Sequence, residues 1–517
     1  MRCLRHSTST DLTSWFYIRI NRPGLERARH MQNSQRSRQR HSCGILAMAA
    51  FVLMTGLLRA ADWPQFRGST TGVVNDAVGP VAWTREKHTA WTAVVPGYGW
   101  SSPIVWGDKV FVTSASSDTA RMPKLKGPGG GESAPPEQIF RWQIHCLDAN
   151  DGRLLWTQVA ATHRPPIATH ISNTYASETP VTDGTYVYAY FGMVGVYCFD
   201  YSGKQVWGRD LGSYRMFGNW GTSSSPTQDD KHLFIQCDNE ERSFVVALDK
   251  ATGAIAWRVD RPEKSTWGSP VLWRNKLHNE LVLMGARRIR SYNPDTGAVL
   301  WELATQQGAG GERAAGGGPA NRGGTGGPGG GGPGGGGARS AAGGCKSTPV
   351  ATPDMIYLGM APKVTGQQLG PMWAVKAGAA GDISLKAGET SNANVAWYRP
   401  DAGPHFASAV VYDRLLYLVP PHDGVLRCFD ATTGADVYQE RLPGAGDFKA
   451  SMWAANGQVF AIDERGSEYV VHAGKEFSLV AQNALNESCW STPAPAGNSI
   501  FFRSVERLIC IRKSPEN

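Results

Sequence analysis

The feature that most constrains this chain of 517 residues is a phrase it writes several times. "CLDANDGRLLW" (Cys146 to Trp156), "LDKATGAIAW" (Leu248 to Trp257), "YNPDTGAVLW" (Tyr292 to Trp301) and "FDATTGADVY" (Phe429 to Tyr438) each carry Asp or Asn, then Gly four residues on, then an aromatic four further. "CFDYSGKQVW", ending at Trp207, is one residue shorter in its turn. Asp at a strand end can bond its own backbone, and Gly accepts a positive φ that other residues resist. The phrase therefore reads as strand, tight turn, strand. Its aromatic is suited to covering the gap to a neighbouring unit, since tryptophan fills much area and still donates one hydrogen bond.

A second pattern precedes each phrase: a small residue or Ser, often Pro, a short turn and an apolar run. It starts at Ser101, Ser177, Ser224, Gly268, Ser347, Ala407, Ala450 and Ser491. Each start reads as two short strands joined by a turn. With the phrase they make a four-stranded antiparallel meander, which cannot bury both faces alone and must stack on its neighbours. Eight starts and no long amphipathic helical pattern predict an all-β chain, an eight-bladed β-propeller of four-stranded blades. Too little sequence follows Ser491 for four strands, while "KHTAWTAVVPG" around Trp91 is an orphan outer strand. The N-terminal strand is expected to close the last blade, leaving no open sheet edge.

Residues 1–61 are set aside as a signal peptide with a basic N-terminal extension. The apolar run 45–58 follows "RSRQRH" and precedes Ala60 and Ala61, the order of an export signal. It is shorter than the roughly twenty residues of a membrane span. Residues 1–60 hold ten Arg, one Asp and one Glu, a net +8 that equals the formal charge of the whole chain. The remaining chain, 62–517, is therefore formally neutral, and the basic pI gives no reason to expect nucleic acid. Seven cysteines remain after residue 61, an odd number, and Cys146, Cys198 and Cys428 sit at equivalent repeat positions. Equivalent positions in different blades lie far apart, so buried thiols are expected rather than a disulfide framework. Residues 121–138 and 307–344 read as insertions, the second made almost wholly of Gly with Pro, Arg and Ala and expected to be a disordered loop. Residues 377–394 read as a milder extension within blade five.

"LDKATGAIAW" and its siblings resemble the PQQ-like (pyrroloquinoline-quinone-type) propeller repeat, and "DWPQFRG" (Asp62 to Gly68) resembles the start of an exported subgroup. The resemblance covers essentially all of 62–517. It implies a fold similar to that of two kinds of protein: quinoprotein alcohol dehydrogenases, which use PQQ and calcium, and the outer-membrane β-barrel assembly lipoprotein, a noncatalytic scaffold. The first implication finds little support in the residues. No two cysteines are adjacent, no Cys-x-x-Cys-His occurs, and no zinc spacing or G-x-S-x-G elbow appears. Calcium wants roughly six to eight oxygens, and only a loosened pattern offers Glu178, Asn173 and Asn219.

Function must come from what the repeats do not share. The loops before the starts are rich in aromatic and polar residues. They bring Trp100, then His170, Asn173, Tyr175 and Glu178, then Asn219 and Trp220. Trp267, Lys346, His405, Lys449 and Trp490 hold related places before the later starts. These residues are the expected ligand-binding set at the funnel mouth, with no catalytic residue and no metal ligand assigned. The reading is an exported, noncatalytic binding or scaffold module of the cell envelope, periplasmic or envelope-associated. Its partner is an envelope protein or a small polar ligand, and no cofactor is expected. It is not membrane-spanning once the signal is removed. The alternative is a PQQ- and calcium-dependent dehydrogenase of alcohols or sugars.

Overall fold

A computed structural model describes residues 62–513 apart from 70, 75–78, 120–122, 125–131, 307–344 and 363–368. The expected export signal and the Gly-rich insertion 307–344 thus lie outside the described residues. The rest form eight antiparallel blades in a ring. Blade one runs Ile104–Trp106, Lys109–Ser116, Phe140–Asp148 and Leu154–His163, from the axis outward. Six more follow in order, from Val181–Thr182 in blade two to Leu479–Ala484 in blade seven. Blade eight takes Ala494–Ala496, Ser499–Arg503 and Arg507–Arg512 from the C-terminal end and Thr89–Val94 as its outer strand. Trp91 pairs with Cys510 across that junction, so the ring is closed by the strand that lacked a unit of its own.

The repeated phrase makes the turns and seals the seams. In blade one, Gly152 N donates to Asp148 O, Asn150 N donates to the Asp148 carboxylate, and Gly152 has φ +75°. The aromatic of the preceding blade then lies flat on that glycine. Trp91 donates to Ala149 O beside Gly152, and Trp156 to Tyr201 O beside Gly203, each at 3.0 Å. Trp207, Trp257 and Trp397 repeat the arrangement with Lys250 O, Pro294 O and Ala431 O. Trp301 departs from it and donates to the buried Glu280 carboxylate at 2.6 Å. Blade five lacks the phrase, so Trp301 has no glycine turn to cover. The extension 377–394 was expected to stay within blade five. Instead its Gly381–Asp382 adds a parallel fifth strand to blade four, against Trp301 and Glu302.

A second circle of bonds runs near the axis. The residue just before each start's proline, or its equivalent, offers a hydroxyl to the backbone of the blade before it. Ser102 N donates to Thr179 Oγ1, Thr179 N to Ser225 Oγ and Ser225 N to Ser269 Oγ. Ser269 N donates to Thr348 Oγ1, Thr348 N to Ser408 Oγ, Ser408 N to Ser451 Oγ and Ser451 N to Thr492 Oγ1. These bonds of 2.9–3.0 Å satisfy inner-strand N–H groups that have no partner within their own sheet.

The N-terminal segment crosses beneath this circle. Trp63 exchanges two backbone bonds with Val105 of blade one, and Thr182 N of blade two donates to Pro64 O. Gln65 meets Thr227 of blade three, and Thr71 meets Ala351 of blade five. Arg67, only 2% exposed, donates to Ala409 O of blade six and Met452 O of blade seven. Val73–Val74 then joins blade seven as a parallel strand. All seven cysteines after residue 61 are buried and free, including Cys146, Cys198 and Cys428, whose equivalent repeat positions led to that expectation.

The seam geometry gives a stability test. A Cβ on Gly253 would lie 2.5 Å from the Trp207 ring, whereas one on Gly381, at a similar φ, would meet nothing within 4 Å. Both Ala variants carry the backbone strain, but only Gly253→Ala must also displace a tryptophan. It is expected to be less stable than Gly381→Ala by about 1–3 kcal/mol, read from denaturant unfolding midpoints.

Candidate functional site

The hydroxyl circle lines a cavity of about 610 Å³ on the ring axis, to which all eight blades contribute. Each inner strand alternates its side chains, so every start aims one Ser or Thr at the axis. The loop just before the start then supplies a larger side chain above it. Four of these are tryptophans in two pairs. Trp100 and Trp490 stack at 5.1 Å with planes 16° apart, where blades one and eight meet. Trp220 and Trp267 lie 5.3 Å apart at 39°. Phe66, from the N-terminal segment, also lines the cavity.

Between the two pairs stand two lysines. Lys346 Nζ lies 4.9 Å from the Trp220 ring centroid and 4.6 Å from that of Phe406. Lys449 Nζ lies 4.4 Å from the Phe406 centroid and 5.7 Å from that of Trp490. The electron-rich faces of aromatic rings attract ammonium groups, but they do not neutralise them. Among the described residues no carboxylate lies within ion-pair distance of Lys346, whose one hydrogen-bond partner is His405 Nε2 at 3.1 Å. Burial, and then repulsion from Lys449, bring the Lys346 ammonium down to about 8. Burial also lowers Lys449, against the pull of Asp447, 3.9 Å away, and of Glu464. His405 is pushed down to about 3 by burial and by the two lysines, so it is a neutral acceptor.

Of the residues expected from sequence, Trp100, Trp220, Trp267 and Trp490 line the cavity, as do Lys346 and Lys449. His170 and Asn173 line it too. Asn173 acts as a bracket, its Nδ2 donating to Trp220 O at 2.9 Å and its Oδ1 accepting from Ser177 Oγ at 2.6 Å. Four expected residues lie elsewhere. His405 stands behind Lys346. Tyr175 donates to Ile167 O and packs on Phe140. Asn219, at φ +54°, turns outward and donates to Glu132 O of the 121–138 insertion. Glu178 lies between Ser177 and Thr179, which both line the cavity, and strand alternation sends its side chain away. It is 2% exposed with Oε1 unpartnered, and burial raises it to about 7 against the bond from Thr222. The three carboxyl and amide groups weighed as a calcium set therefore do not meet at one point. Sequence reasoning missed Phe66, Phe406, Asp447 and Glu464. Phe406 and Asp447 lie inside loops already singled out. Glu464 comes from an ordinary-looking turn after Gln458–Ile462, and no local signal marks it.

Two buried carboxyls, Glu178 and Glu468, are each raised to about 7 mainly by burial. A carboxyl raised on folding binds its proton more tightly in the native state, so stability is highest below its ordinary value near 4.5 and falls as pH rises through 7. Glu178→Gln is expected to reduce the stability lost between pH 4.5 and 7 and to leave the share of Glu468. Urea midpoints across that window check this; an unchanged profile would contradict it.

Residues 141–321 match the profile of a family described as "Outer membrane protein assembly factor BamB". No curated protein matches by sequence. Among solved structures, the quinohemoprotein alcohol dehydrogenase of Comamonas testosteroni is similar, with 11% identity and a TM-score of 0.54, covering 90% of this chain and 83% of that one. The quinohemoprotein alcohol dehydrogenase ADHIIG of Pseudomonas putida HK5 has 11% identity and a TM-score of 0.51, covering 88% and 82%. BamB of Moraxella catarrhalis has 10% identity and a TM-score of 0.49, covering 82% of this chain and 99% of that one. At such identities the likeness is one of fold.

Proposed function

We propose, from the premise that this chain is a propeller of the PQQ-like repeat family, that it is an exported, noncatalytic binding module of the cell envelope and that it binds through its axial cavity. The observation that carries this is the pair of ammonium groups, Lys346 and Lys449, held over Phe406 between two walls of tryptophan. Buried positive charge with no full set of partners is costly. An anionic group entering the cavity would relieve that cost, and the tryptophan faces would take the flat or apolar part of the same ligand. The hydroxyl circle cannot supply counter-charge, because its hydroxyls are neutral.

Envelope placement rests on the expected signal at 1–61 and on the description of the family matched by 141–321, an assembly factor for outer membrane proteins. Among the described residues no helix is long and apolar enough to cross a membrane. The quinone-and-calcium alternative is weaker on the metal side. Glu178 favours its protonated form, Asn219 is committed to Glu132 and Asn173 to Trp220 and Ser177. The carboxylates that do line the cavity, Asp447 and Glu464, sit beside Lys449.

The cavity tryptophans provide the readout. A flat benzene tricarboxylate is expected to quench protein fluorescence, and the corresponding uncharged triol to do so far less. Lys346→Met should weaken the tricarboxylate by about tenfold or more, the loss of one charge-assisted contact. Equal quenching by both probes, or none by either, would sink the proposal. Added PQQ and calcium should give no dye-linked oxidation of alcohols or sugars. Cross-linking in the envelope gives a further arm: a protein partner recovered equally well by the Lys346→Met variant would move the binding surface off the axis.

A further inference from the structure

Lys346 is more than a fixed positive charge. Its ammonium sits in the wall of the axial cavity among aromatic rings, with a histidine ring nitrogen 3.1 Å away and a second lysine on the same phenylalanine ring. The histidine itself is held in place. His405 packs on Phe406 with ring centroids 4.2 Å apart and meets His422 edge-on at 6.5 Å. His422 is in turn fixed by Asp447 at 2.9 Å. A lysine made for electrostatic binding would ordinarily face a carboxylate or open water. This one faces a neutral proton acceptor, an apolar wall and another cation, the surroundings that favour a nucleophilic amine.

We propose that Lys346 is a carbonyl-reactive amine that captures a 2-oxo acid as a reversible imine, with Lys449 holding the carboxylate of the same ligand. This rests on the reading of the cavity as an anion site and names the class of anion. The bonds balance without an oxidant or reductant. The Lys346 ammonium loses a proton to solvent, and the freed amine, whose remaining N–H can donate to His405 Nε2, forms a C–N bond to the carbonyl carbon. The carbonyl electron pair moves to oxygen, which takes a proton from solvent. That oxygen leaves as water with one further proton from nitrogen, and a protonated C=N bond remains. Ammonium plus carbonyl thus becomes iminium plus water, with charge unchanged.

The titratable groups around Lys346 set its pH behaviour. Burial and Lys449 lower it, His405 is its hydrogen-bond partner, Asp447, Glu464 and His422 stand beyond Lys449, and His170 contributes to the same cavity. A Lys346 amine titrating near 8 is substantially free at that pH, whereas ordinary surface lysines are not.

Glyoxylate is the probe, with cyanoborohydride to reduce any imine to a carboxymethyl-lysine, located by peptide mass mapping of the full chain. At pH 8, Lys346 is expected to be modified well ahead of the exposed Lys204 and Lys231. Lys449→Met removes the repulsion that helps lower Lys346, so its modification at pH 8 should slow by about threefold or more. Lys346→Arg should abolish the modification at that position, and retained tryptophan fluorescence would show that the ring is intact. Labelling spread evenly over the lysines, or a Lys449→Met rate equal to the parent's, overturns the proposal. If Lys346 stays unmodified while the benzene tricarboxylate still quenches, imine capture fails and the anion site stands. If neither occurs, both readings fail together.

Discussion

The fold depends on a hydrogen bond that crosses from one blade to the next at the narrow end of each wedge. An innermost propeller strand has a sheet partner on its outer side only, so half of its backbone groups face the axis or a seam. Here a Ser or Thr from the following blade accepts the otherwise orphaned N–H, from Ser102 round to Thr492. Each bond contributes about 1 kcal/mol, but leaving such a buried donor unmet costs about 1–3. The ring therefore uses a hydroxyl at seven of its eight starts, from Thr179 to Thr492, which is why the small residue before proline recurs when most of the strand around it varies. The tryptophan seams do the complementary work at the wide end, where area rather than hydrogen bonding is scarce.

These two circles leave the cavity its character. The same hydroxyls that tie the blades line the axis, each using one lone pair to do so, but they are neutral, so charge available to a ligand must come from the loops above them. Those loops place two lysines over Phe406 and put the nearest acids, Asp447 and Glu464, beside only one of them. The result is a site with positive charge and flat aromatic walls, carried by loops above the ring of inner strands.

Much of this was legible in the residues. The period, the number of blades, the closing strand at Trp91, the glycine turn under every seam tryptophan but Trp301 and the buried free thiols all follow from local patterns, which a repeat displays many times over. The loops before the starts were legible as the place to look, and the four tryptophans and two lysines there do face the axis. What failed was side-chain parity and long-range pairing. Glu178 stands out in sequence as a charge beside a packed strand, yet one residue of alternation turns it into the seam. Asn219 looks like a funnel residue until the insertion it supports is placed. Extension 377–394 belongs by sequence to blade five, but Trp301 lacks a turn to cover and the extension pairs beside it. Arg67 and Ala409 are joined across 342 residues, a separation that no local pattern signals.

The N-terminal segment carries a consequence for how the molecule is assembled. Residues 62–74 bond to blades one, two, three, five, six and seven, and residues 89–94 complete blade eight. Everything this segment touches is translated after it. Its partners in blades one and two, Val105 and Thr182, are made soon after it, but those in blades five to eight exist only when nearly the whole chain has been made. The full set of bonds therefore ties the start of the folded chain to its end, at the axis and at the rim together.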